Sequence, residues 1–173
     1  MAHGNGGGPG AAMAKVAVTR TLAVPADQVW SVFTNLAGRP QWMSTVDRVE
    51  LLGGSGFEPG TSWRETRTGA GVPVTEELRV ATAEIGRACT LTTVGDGASY
   101  QLTYTFTPTP AEGRTVVSAV LEGYPASRAS RLLLLFLGRL AIRTAEGTLR
   151  ADLADLAAAC EPRDMRRKGD PRG

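Results

Sequence analysis

The chain has 173 residues, 42% hydrophobic and 21% charged, with a formal net charge of +2. That length suits one domain with a sizeable core. Six of the 19 basic residues fall in the two end segments, which leaves 13 basic against 14 acidic residues over 16–160, so a basic nucleic-acid-binding face is not expected.

Residues 1–15 are rich in Gly and Ala with no apolar period, and 162–173 are charged and full of helix breakers. Both read as disordered tails around a single domain over 16–161. A strand is expected at 16–24. Pro25 then supplies a pre-set φ at a helix start, and Asp27 sits where the helix dipole favours negative charge. Val29, Val32, Phe33 and Leu36 form one apolar stripe. Asn35 and Gly38 end that helix, and Pro40 opens a second short one carrying Trp42 and Met43. Strand-like runs follow at 46–52, 61–68, 72–81, 87–94, 99–107 and 115–122, joined by short turn-rich links that favour an antiparallel meander. A helical region over 126–160 would be ~50 Å long. The order β-α-α-β-β-β-β-β-β-α predicts an α+β domain in which a curved seven-stranded sheet wraps one long C-terminal helix.

The first strand, followed by Pro25, Val29-Trp30 and Pro40-x-Trp42, resembles the START-like (Bet v 1-like, helix-grip) superfamily, in its polyketide cyclase/dehydrase and lipid transport branch. The resemblance covers about 16–161 and implies a helix-grip fold around a cavity for an apolar molecule.

Period-two alternation is clearest at 99–107, where Tyr100, Leu102, Tyr104 and Phe106 share one face and are expected to point inward. Strand 61–68 sets Trp63, Glu65 and Arg67 on one face. In strand 72–81 the apolar pattern alone turns Val74, Leu78 and Val80 inward and would bury Glu76. In aromatase/cyclase members an Arg before a Val in this strand points into the pocket, and Arg79-Val80 matches that pair. The resemblance therefore implies that Thr75, Glu77 and Arg79 line the cavity, with Arg79 and Glu77 as the catalytic pair if the chain is an enzyme. Met43, Trp63, Tyr100, Leu102, Tyr104, Val117, Ala119, Leu135 and Ile142 complete the expected ligand-binding set. A Tyr that assists the pocket Arg in cyclase members is replaced here by Val46.

The sole histidine is His3, in the expected tail, which removes His-based acid–base catalysis and nucleophile activation. No metal-ligand cluster and no phosphate-cradling glycine motif stands out, so no cofactor is expected. Cys89 and Cys160 lack metal or disulfide-framework spacing and read as reduced thiols of a cytoplasmic protein. No leader-like segment is seen. The apolar run at 132–137 is too short for stable membrane insertion. Leu132, Leu133, Phe136 and Leu140 fall off the inner stripe of the long helix and could serve as a homodimer contact. The expected function is binding or transport of a small hydrophobic, ring-containing ligand, lipid or polyketide-like. The alternatives are an aromatase/cyclase acting on a poly-β-ketone, and an interaction protein using the 132–140 patch.

Overall fold

A computed structural model describes residues 14–69, 72–95, 98–111, 113–125 and 128–161, with backbone alone at 69, 94, 95, 98, 125 and 128–141. The described residues form seven strands and three α-helices: β1 (Ala14–Leu22), α1 (Ala26–Thr34), α2 (Arg39–Trp42), β2 (Val46–Gly53), β3 (Ser62–Gly69), β4 (Val72–Glu84), β5 (Ala88–Gly95), β6 (Ala98–Pro108), β7 (Thr115–Pro125) and α3 (Arg128–Cys160). One antiparallel sheet has the order β1-β7-β6-β5-β4-β3-β2. It is the curved helix-grip sheet expected, closed at one end by α1 and α2 and crossed by α3. Ala14 and Lys15, expected in the tail, already belong to β1, pairing with Gly123 and Glu122. The rest of both expected tails lies outside the described residues.

Local chemistry explains the entry to the sheet's closed end. Pro25 caps α1 in an extended conformation (φ −63°, ψ 154°), and Asp27 occupies the first turn. Val29, Trp30 and Phe33 are the buried stripe. The Asn35 side chain accepts a hydrogen bond from the Gly38 amide at 3.1 Å, stopping α1 and starting the turn into α2. After β2, Gly54 adopts φ 90°, and a Cβ there would lie 2.9 Å from the Thr61 Cα, so this tight exit suits only glycine.

In α3, a 33-residue helix, Leu149, Leu153, Leu156, Ala157 and Cys160 are buried against the sheet. Ile142 is 38% exposed, so it does not line the interior as expected. Leu132, Leu133, Leu135, Phe136 and Leu140 lie outside the described side chains. Among the described residues no helix is long and apolar enough to cross a membrane.

One expectation is reversed. Leu78 and Val80 are buried, at 6% and 1% exposure, whereas Thr75, Glu77 and Arg79 are exposed on the opposite face of β4. Period-two geometry leaves only one face for each set. Burying two apolar side chains stabilises the fold, whereas burying a charged pair costs desolvation. The apolar pattern, rather than the Arg-Val match, fixes the orientation.

Candidate functional site

Strand registers define the concave face row by row, because directly opposed residues project to the same side. Trp63 opposes Leu78, Leu78 opposes Thr93, Thr93 opposes Tyr100, and Tyr100 opposes Gly123. The next row runs Val80, Leu91, Leu102, Leu121 and Val16. The row nearer α1 holds Cys89, Tyr104, Ala119 and Val18. On the other side of Trp63, Glu65 opposes Glu76 and Arg67 opposes Val74.

Packing differs along this face. Toward α1 it is filled: Tyr104, Phe106, Val117 and Ala119 are at most 2% exposed. Phe33 meets the rings of Tyr104 and Phe106 at 4.6 and 5.3 Å, and Phe57 bridges Trp30 and Trp63. Toward the start of α3 it opens. Tyr100, Leu102 and Leu121 are half-buried and Glu76 is exposed, while Val74 reaches 51% exposure.

Where β3 meets α2 and α3 lies a cluster of four charges. Arg39, Glu65 and Asp152 are at most 4% exposed, and the Arg67 side chain is 20% exposed. Glu65 accepts from Arg39 Nη1 at 3.1 Å, Trp63 Nε1 at 3.3 Å and Arg67 Nε at 2.7 Å. Arg67 Nη1 reaches both oxygens of Asp152, at 3.1 and 3.0 Å, and Thr45 Oγ1 at 3.2 Å. The Arg39 guanidinium also lies 5.5 Å from the Phe33 ring centre and 5.6 Å from that of Trp63, a favourable place for a cation. The group is neutral overall, two cations against two anions, which limits the cost of burying it.

The titrations follow these contacts. Burial pushes Glu65 up, but the two arginines and the hydrogen bonds outweigh it, holding the carboxyl below its ordinary value of 4.5. At Asp152 burial wins over the pull of Arg67, leaving the carboxyl above its ordinary 3.8. Burial raises the Tyr104 phenol and Asp152 raises it further, so the phenol stays protonated at neutral pH. Burial also pushes the Cys89 thiol up to about 12 and Cys160 to about 11. Neither is a nucleophile at neutral pH.

Of the expected site residues, Met43, Trp63, Tyr104, Val117 and Ala119 are buried, and Tyr100 and Leu102 are half-buried facing inward. Thr75, Glu77 and Arg79 are not among them. Glu65 and Arg67 were recognised as sharing the Trp63 face but not as a cluster. Arg39 and Asp152 were missed. Asp152 carried a signal, since it interrupts the apolar stripe next to Leu153, whereas Arg39 carried none. Among the described residues no three His, Cys, Asp or Glu side chains converge to hold a metal. A groove of about 440 Å³ lies outside the sheet, between α1, α2 and α3, lined by Ser31, Asn35, Gln41, Trp42 and Asp155.

Comparison with known proteins is consistent with this geometry. The family model described as polyketide cyclase / dehydrase and lipid transport matches residues 13–161. A START superfamily protein from Mycobacterium smegmatis is 14% identical with a TM-score of 0.68, over 84% of this chain and 96% of that one. Truncated norcoclaurine synthase from Thalictrum flavum is 17% identical with a TM-score of 0.67, over 84% and 92%. The Zhui aromatase/cyclase from Streptomyces sp. R1128 is 18% identical with a TM-score of 0.66, over 91% and 99%. At these identities the likeness is one of fold. No curated protein sequence matches the chain.

Proposed function

The chain belongs to the polyketide cyclase/dehydrase and lipid transport family, and we propose that it binds or carries a small, mostly apolar, ring-containing molecule at the open end of the concave face. The observation that supports this is the half-buried inward set of Tyr100, Leu102 and Leu121, together with a charge cluster whose members are already paired with each other. Apolar area withdrawn from water would drive binding at ~25 cal/mol per Å². The Tyr100 and Thr93 hydroxyls offer the few polar anchors such a site needs. Cyclisation would instead require a cation or acid free to meet charge developing on the substrate. Arg39 and Arg67 are engaged by Glu65 and Asp152, and Arg79 faces away, which favours the carrier over the cyclase.

The test is titration with 1-anilinonaphthalene-8-sulfonate, a fused-ring dye, followed by its fluorescence and by quenching of tryptophan emission. Leu102→Trp fills the space and is expected to weaken binding at least about tenfold, a difference of about 1.4 kcal/mol. Arg79→Ala is expected to leave it unchanged. Unaltered binding by Leu102→Trp would overturn the placement of the site. Turnover of a poly-β-ketone substrate that falls on Arg79→Ala would restore the cyclase reading.

A further inference from the structure

The sheet ends in an edge strand with an unusual composition. Among the described residues, β2 has β3 on one side and no strand on the other. It exposes two consecutive large apolar side chains, Leu51 at 54% and Leu52 at 40%, and carries neither proline nor lysine. Such an edge is a template for another strand unless it is blunted. The opposite edge differs: Val16, Val18 and Leu22 of β1 are at most 7% exposed.

The charges of β2 select the partner. Arg48 and Glu50 are exposed, their side chains 72% and 52% accessible, and within the strand they sit 3.9 Å apart. They flank Val49, which faces the same side as Glu65. If a second β2 is laid antiparallel with the two-fold axis at Val49, each Arg48 lies directly opposite the other copy's Glu50. Centring the axis on Arg48 or on Glu50 would oppose like charges. The same register sets Val49 opposite its own copy with Leu51 diagonal to it, within reach on one face, and places Leu51 across from Asp47 of the other copy. Register shifts at Val46/Arg48 and Leu51/Gly53 bound the regular stretch to these central residues.

We propose that β2 is a homodimerisation edge, pairing two copies isologously into one continuous antiparallel sheet through Arg48–Glu50 ion pairs and the Val49–Leu51 contacts. Both halves of the contact come from one short strand, as two-fold symmetry requires. A contact confined to one eight-residue strand is expected to bury less than the ~1,200–2,000 Å² of a stable complex, so a weak, rapidly exchanging dimer is expected.

Sedimentation velocity of the full chain over about 10 μM to about 1 mM tests this, with a dimer expected at a Kd on the order of 100 μM. Arg48→Glu sets carboxylates against carboxylates and is expected to leave only monomer across the range. The exchange of both charges, Arg48→Glu with Glu50→Arg, is expected to restore the dimer. Leu51→Asp is expected to weaken it at least about tenfold. Both charge positions are exposed, and a thermal melt of each variant verifies the fold. A wild-type chain that stays monomeric at the highest concentration overturns the proposal. So does a dimer indifferent to Arg48→Glu, which would place the contact elsewhere, such as on 132–140 of α3.

Discussion

The two ends of one concave surface have been solved differently by the same strands. Near α1 the inward residues are aromatic on β6 (Tyr104, Phe106) and smaller on β5 and β7 (Cys89, Val117, Ala119), all buried, with Phe33 of α1 against the two rings. Near the start of α3 the same strands continue with the same alternation, yet Tyr100, Leu102 and Leu121 are half open to water, while Thr93 stays buried. Strand pattern therefore sets direction, while the elements laid across the sheet set burial. The ionised groups, held against one another, join β3 to α2 and α3.

The sharpest way to break this contrast is to remove one charge from the cluster. Arg39→Ala leaves Glu65 buried with fewer partners and is expected to cost about 3–5 kcal/mol, read from urea denaturation. A cost near zero would mean that the cluster is wet and that the closed end is not closed.

A gentler test compares matched truncations in one row. Leu91 is fully buried, and Leu91→Ala should cost about 2–5 kcal/mol. Leu102, its half-buried neighbour, should lose only about 1 kcal/mol on the same change. Equal losses would show the open end to be as tightly packed as the other.

The smallest effect concerns pH. Glu65 is held below its ordinary 4.5, so the unfolded chain binds its proton more readily than the folded one. Its contribution is present above about pH 4.5 and is lost as the pH falls through its folded value. Asp152, raised above 3.8, acts in the opposite sense: its contribution is full below 3.8 and lost as the pH rises through its folded value. Glu65→Gln should therefore lower Tm at neutral pH and shrink the further drop between about pH 6 and about pH 3. An unchanged acid profile would show that Glu65 is not the group being titrated.

Most of the architecture was legible in the sequence, because seven strands, two helix starts and one long helix each carry local signals of turn, cap or period. The inward residues of β6 were legible for the same reason. The β4 face was legible too: Leu78 and Val80 pointed inward by pattern, and the error came from weighting a two-residue Arg-Val match above it. The charge cluster was only partly visible. Glu65 and Arg67 alternate with Trp63 and so announce a shared face. Their partners come from α2, 26 residues before Glu65, and from α3, 85 residues beyond Arg67, and no local pattern encodes a meeting of that kind.

The Arg67–Asp152 contact also has a consequence for where the long helix comes to rest. Leu149, Leu153 and Leu156 recur at nearly every turn, so an apolar stripe alone would accept α3 slid along the sheet by one turn. Such a slip moves each side chain by ~5.4 Å. It would strand Asp152, now 3.0 Å from Arg67, and part Asp155 from the Ser44 amide and hydroxyl that it accepts from at 2.7 Å. Two carboxylates three residues apart thus act as index pins, giving a repetitive helix a single seat.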